Sequence, residues 1–158
     1  MTLHIDGDAL PNRLKPILTR AIDRLALKTI VISNKPITIG ASEQITYHLV
    51  DLGADEADDA IVDRVAAGDL VITADIPLAS RVIALGALAL DHRGELFSDA
   101  NIRQLLAMRN LMDAIRESGE MTKGPAPFGP KDAHAFASAL DRTLHRLMRR
   151  VDTQSAVG

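Results

Sequence analysis

The chain has 158 residues, 47% of them apolar and 25% charged, a balance that fits one globular domain and argues against disorder of its body. It has no cysteine, which excludes disulfides, thiolate metal sites and a cysteine nucleophile. A net charge of −3 and an aromatic content of 3% argue against a broad basic nucleic-acid footprint and against a stacking platform, but not against an enzyme that meets nucleic acid through a metal and a few arginines.

Leu3 to Ile5 reads as a buried strand ending in Asp6-Gly7-Asp8. From Asn12 the apolar spacing turns helical through Leu14, Ile17, Leu18, Ala21, Ile22 and Leu25, with Asp8 as a candidate cap. Thr29 to Ile32 is β-branched and reads as a strand, Ser33 to Gln44 as a loop, and Ile45 to Val50 as a third strand. A helix is predicted from Asp58 to Ala67, closed by Gly68. Leu70 to Thr73 is the clearest strand and runs into Ala74-Asp75. A helix from Pro77 to Leu85, closed by Gly86, leads to a last strand at Ala87 to Leu90. Two more helices follow, Asp99 to Ser118 and Asp132 to Arg150, joined by a Gly/Pro-rich linker.

Strand and helix alternate through Leu90, which predicts a mostly parallel sheet with helices on both faces. The expected organisation is one domain over residues 1–150, with an α/β core to about residue 98, a helical part over 99–150 and a disordered tail over 151–158. No leader peptide and no membrane-length apolar run is visible, so a soluble cytoplasmic chain is expected.

Ligands of such sheets bind beyond the carboxyl ends of the strands. Asp6, Asp8 and Asp75 follow strands there, and Asp58 or Asp59 opens the helix that feeds the Asp75 strand. Each alone is explained as a helix cap or a dipole partner. Together at one edge they repel, and a hard divalent cation, Mg2+ or Mn2+, relieves that repulsion. Such an ion can activate water against a phosphodiester. Arg93, in the loop after the last predicted strand, is a candidate phosphate contact.

Several segments resemble the uncharacterised bacterial YaiI/YqxD family, a PIN-like group. They are Ile5 to Pro11, Ala57 to Val62, Gly68 to Ala79, Arg93 to Leu96, Asn101 to Arg103, Leu106 to Arg109, Gly124 to Phe128 and Phe136 to Asp141. The resemblance spans almost the whole chain. It implies a PIN-like three-layer α/β/α domain with two additional C-terminal helices. It also implies a metal-dependent nuclease, RNA favoured over DNA, with Asp6, Asp59 and Asp75 as catalytic metal ligands and Asp8 and Asp58 close by. The family motifs add Arg103 and Arg109 to the candidate phosphate contacts, and Lys123 beside the Gly-Pro linker is another. Two departures stand out. PIN domains carry a further acid on a middle helix, where Ser33 to Gln44 offers only Glu43, and the family's usual cysteine is Leu10.

The Asp-x-Asp pattern also resembles haloacid-dehalogenase-like phosphatases, but Leu10 stands where they need threonine or valine. A receiver domain needs a lysine after a late strand, and Leu88 to Glu95 supplies none. The remaining alternatives are a non-catalytic domain binding metal or nucleic acid, and a phosphohydrolase of small molecules. The sequence leaves homo-oligomerisation open.

Overall fold

In the computed structural model, which describes residues 1–53, 55–119 and 126–157, β1 (Leu3–Asp6) sits in the middle of the sheet. It is apolar and buried because parallel neighbours flank it on both sides and helices cover both faces. The neighbours are β2 (Thr29–Ser33) and β4 (Leu70–Ile72), and β3 (Ile45–Leu49) and β5 (Leu88–Leu90) extend the parallel set. A short β6 (Leu96–Phe97) adds an antiparallel edge, giving the order β3-β2-β1-β4-β5-β6.

The chain builds outward from β1 to β3, then returns to place β4 on the other side of β1. The strand order therefore reverses between β1 and β4. A reversal of this kind opens a crevice at the carboxyl edge, because the following connections leave to opposite sides. Asp6 ends β1 on that crevice, and Thr73 to Asp75 leaves β4 on its other side.

Helices α1 (Leu14–Leu25) and α5 (Pro130–Val157) cover one face, where Leu14, Leu18 and Ile22 of the first pack with Phe136, Leu140 and Leu144 of the second against Leu3 and Ile5. Helices α2 (Glu56–Arg64), α3 (Ile76–Ala84) and α4 (Ile102–Glu117) lie on the other, around Ile61, Val71, Leu78, Val82 and Phe97. This is the three-layer α/β/α arrangement with a mostly parallel sheet and two further helices after it. Among the described residues no helix is long and apolar enough to cross a membrane.

Four local differences from the sequence expectations have physical causes. First, α1 begins at Leu14, and Asp8 does not cap it; Asp8 accepts from the Asn34 N–H instead. Second, α2 ends at Arg64, because Val65 turns extended and the Asp69 carboxylate takes the Ala66 N–H at 3.0 Å. Gly68 is thus not a helix cap; at φ +88° it belongs to the turn into β4. Third, β6 is a strand of two residues, too short to show a period. Fourth, α5 runs on to Val157, past Arg150 where the apolar spacing predicts its end and the tail begins, because no glycine or proline intervenes before Gly158.

Candidate functional site

The acidic edge is built from the backbone outward. Gly7 carries the chain away from β1 in close contact with β2, its N–H donating to the Ile32 carbonyl at 2.8 Å. A Cβ there would lie 2.9 Å from Ile37 Cδ1 and 3.1 Å from Ser33 Cβ, so a side chain between the two aspartates would require Ile37 and Ser33 to shift. Asp6 points into the crevice. Its Oδ2 accepts from the buried Thr73 hydroxyl at 2.9 Å, and its Oδ1 from the Asp8 N–H at 3.3 Å.

Thr73 in turn accepts from the Asp75 N–H at 3.0 Å, so one hydroxyl ties the ends of β1 and β4 together. Asp75 is the N-cap of α3, its Oδ1 accepting from the Leu78 N–H at 3.0 Å, and Pro77 follows in the first turn. The helix-cap role of Asp75 is therefore real, and it leaves the other carboxylate oxygen uncommitted to the cap.

Asp58 and Asp59 part company. On α2 the buried residues Ala57 and Ile61 mark the inward stripe. Asp59 lies about 200° round the helix from Ala57, on the solvent side. It is 60% exposed and pairs with Arg81 of α3 at 2.9 Å. Asp58 lies on the flank that meets the crevice. Burial pushes its carboxyl up to about 6, and the charges of Asp75 and Asp55 push the same way while Arg81 opposes them. Asp6 is likewise raised to about 6, by burial first and then by Asp58, against the lowering effect of the Thr73 hydroxyl. Asp6, Asp58 and Asp75 thus form one electrostatically coupled group, whereas Asp59 is drawn off by an arginine. Asp8 stands at the rim, with both oxygens near the Asn34 N–H at 3.1 and 3.4 Å.

The candidate cations are placed less uniformly. Arg93 does reach the carboxyl edge, in the β5–β6 turn, but its guanidinium is engaged: with Asp132 at 2.9 Å, with the Ala126 carbonyl at 2.7 Å, and over the Phe128 ring. The Gly129 N–H, and after it Arg93, hold the Asp132 carboxyl below its ordinary value. Since β6 runs antiparallel to β5, the chain arrives at the amino edge before α4 starts, which puts Arg103 at the end opposite the carboxylates. Arg109 pairs with Asp113 on the same helix at 3.2 Å. Lys123 and the Gly124-Pro125 part of the linker lie outside the described residues. Glu43 precedes β3 at the amino edge and is remote from the crevice.

Beside the acids runs an open groove of about 430 Å³, whose Ser33 end abuts Gly7. Lys35, Ile37, Tyr47, His48 and Leu49 line it, and Tyr47 is pinned by accepting from the Ile39 N–H and donating to the Gly40 carbonyl. His92 lies in the β5–β6 turn; burial lowers its pKa, and its Nε2 has no hydrogen-bond partner among the described residues. As placed, no three carboxylate or imidazole side chains among the described residues converge on a common ion-sized space. Sequence reasoning missed Thr73 and Asp55 as members of this edge. Thr73, at a strand end two residues before an acid, carried a signal; Asp55 carried none beyond its charge.

A family model described as "Uncharacterized BCR, YaiI/YqxD family" matches residues 4–146. The chain is 65% identical over 144 residues to a UPF0178 protein of Sulfurimonas denitrificans, covering 91% of this chain and 95% of that one. It is 59% identical over 150 residues to one from a Nitratiruptor species, covering 95% and 99%. It is 47% identical over 154 residues to one from Trichlorobacter lovleyi, covering 98% and 100%.

Proposed function

The chain belongs to the YaiI/YqxD family, and from the chemistry of its acidic edge we propose that it hydrolyses phosphodiesters of nucleic acid, RNA ahead of DNA, with a divalent ion held by Asp6, Asp58 and Asp75. One observation carries this reading: three carboxylates share a crevice at the strand-order reversal, and two of them are raised to about 6. Charges stacked against each other in this way cost stability, and a hard cation offsets that cost with all-oxygen ligation. Mg2+ or Mn2+ suits the donor set, although the side chains do not form a ready cage before an ion arrives. When bound, the ion supplies Lewis acidity and an activated water.

The chain's own residues do the rest. Thr73 orients Asp6 by donating to its Oδ2, while the Asp8 N–H donates to its Oδ1. The α2 and α3 N-termini both open on this edge, and their positive ends favour a phosphate. The open groove beside Gly7 suits an extended strand better than a small enclosed metabolite. Asp8 adds its charge beside Asp6 while its carboxylate accepts from the Asn34 N–H.

Cleavage of single-stranded and structured RNA and DNA in Mn2+ is the test. Activity that survives Asp75→Asn, which preserves the α3 cap, or that needs no metal, would overturn the assignment. The lack of a ready cage favours a second reading, a domain that binds metal or nucleic acid without catalysis. Tight RNA binding with no cleavage under any divalent ion would select it.

A further inference from the structure

The groove beside Gly7 shares a wall with the acidic edge. Ser33 and Ile37 line it, and they are the two side chains nearest a Cβ built at Gly7, at 3.1 and 2.9 Å. Between them in sequence, the Asn34 N–H donates to the Asp8 carboxylate, so the same short loop borders both the groove and the acids. Strand β3 forms the other wall. It is the edge strand of the sheet, and Tyr47 and Leu49 leave it on the same face. Leu49 lies toward the carboxyl edge, where the Val50 N–H donates to the Ser33 carbonyl at 2.9 Å. The groove thus starts beside the acids and runs back along β3 to Tyr47.

The lining points to one kind of occupant. Tyr47 is 41% exposed, yet its hydroxyl is committed to the Ile39 N–H and the Gly40 carbonyl, so what it offers a ligand is its ring, held still. Pro36, Ile37 and the 61% exposed Leu49 add apolar surface. Lys35 is exposed and has no ion-pair partner among the described residues, and none of the residues lining the groove is acidic. A fixed ring with an unpaired ammonium beside it matches a nucleobase and its phosphate. A base inside a duplex is stacked on its neighbours and must leave them before it can lie on a protein ring. One tyrosine offers one base position, in keeping with an aromatic content of 3% that argues against a longer platform.

Building on the phosphodiester reading of the acidic edge, we propose that this groove seats one unstacked base of a single-stranded nucleic acid beside the bond to be cleaved, with the base against Tyr47 and Leu49 and a neighbouring phosphate at Lys35. The substrate class is then an unpaired strand rather than a duplex.

The test is fluorescence anisotropy of a short labelled RNA of mixed sequence, single-stranded or annealed to its complement, titrated with the full chain in EDTA so that binding is read without metal-dependent cleavage. The single strand is expected to bind about tenfold more tightly than the duplex, and Tyr47→Leu to weaken it about tenfold, the worth of one base stacked on a ring. Tyr47→Phe keeps the ring and should keep the affinity. Leu49→Glu, which sets a carboxylate in the path of the phosphates, and Lys35→Glu should each weaken binding several-fold. Leu49 is largely exposed, so Leu49→Glu reads the groove even if circular dichroism shows that Tyr47→Leu, which releases Ile39 and Gly40, has lost its fold. A wild-type chain that binds neither form, that binds duplex as tightly as single strand, or whose binding ignores Leu49→Glu overturns the groove. Single-strand binding that follows the expected pattern, with no cleavage in Mn2+, sinks the hydrolysis and leaves the groove standing. Mn2+-dependent cleavage with binding indifferent to Leu49→Glu does the reverse.

Discussion

Two carboxylates on neighbouring strands show how differently the same side chain can be used. Asp69, just before β4, sits at the amino edge and is buried. It accepts from the Thr2 N–H at 2.9 Å, the Ala66 N–H at 3.0 Å and His4 Nε2 at 2.9 Å. Asp6, at the carboxyl edge of β1, accepts two bonds and faces further carboxylates. The first is a joint: its donors are fixed groups of the fold, and both of its oxygens are engaged. The second is held in place but left electrically uncomfortable. Structural acids are surrounded by donors, and acids kept for a ligand are surrounded by one another.

The contrast is sharpest in stability. Asp69→Ala strips three donors of their acceptor inside the fold, and a loss of roughly 3 to 5 kcal/mol is expected in denaturant unfolding. Asp6→Asn keeps an acceptor for Thr73 and removes a buried charge. At pH 8 it is expected to leave stability unchanged or raise it by up to about 2 kcal/mol. Similar losses for both variants would erase the distinction between the two edges.

Function should divide the other way. Asp6→Asn and Asp58→Asn are expected to lower metal-dependent cleavage on the order of a hundredfold or more, the several kcal/mol that a bound ion contributes to charge stabilisation. Asp59→Ala, which breaks only the exposed pair with Arg81, should lie within a few-fold of the wild type. If Asp59→Ala were the dead variant and Asp58→Asn the active one, the ligand set would have to be redrawn.

The pH dependence of stability follows from the raised acids. The folded-state value of Asp6, about 6, exceeds its unfolded value near 3.8, so its protonated form favours the native state. That contribution is complete below about pH 4 and is lost as pH rises through about 6. Asp58 adds to it in the same direction. His92, with its lowered pKa, acts oppositely, losing stability as pH falls below its unfolded value. The difference between wild type and Asp6→Asn isolates the carboxylate. It should grow between pH 4 and pH 7, and added Mn2+ should shrink it above pH 6 but not at pH 4. A pH-independent difference would contradict the uncompensated charge.

A modest effect is expected at Thr73. Thr73→Val removes the hydroxyl that joins Asp6 to the Asp75 N–H, costing about 1 to 2 kcal/mol. It should also move the titration of Asp6 upward, since the hydroxyl lowers it. Carbon-13 NMR of the Asp6 carboxyl would read the change directly.

Much of this architecture is written in local pattern. The β-branched runs at Thr29 to Ile32 and Leu70 to Thr73, with helices between, are enough to predict parallel strands and hence the edge where Asp6 and Asp75 meet. Ala57 and Ile61 already orient α2, and adjacent residues on a helix diverge by about 100°, so Asp58 and Asp59 leave the helix in different directions. Strand alternation puts Arg93 at the carboxyl edge but does not reveal what engages its guanidinium. Its partners, Asp132, Ala126 and Phe128, are more than thirty residues away in sequence, and no short-range pattern announces them. The early end of α2 has the same origin, since the Asp69 carboxylate competes for the Ala66 amide.

The packing of α5 bears on how the polypeptide is made. Ala133, Phe136, Ala139, Leu140, Leu144 and Leu147 complete the same apolar cluster as Leu3, Ile5, Leu14, Leu18 and Ile22. More than a hundred residues of chain separate the two halves of that cluster. On the ribosome, β1 and α1 emerge long before α5, yet stay exposed on this face until it has left the exit tunnel. Segments made early are thereby among the last to be sealed, and a nascent chain must keep the apolar faces of β1 and α1 soluble until α5 has been made.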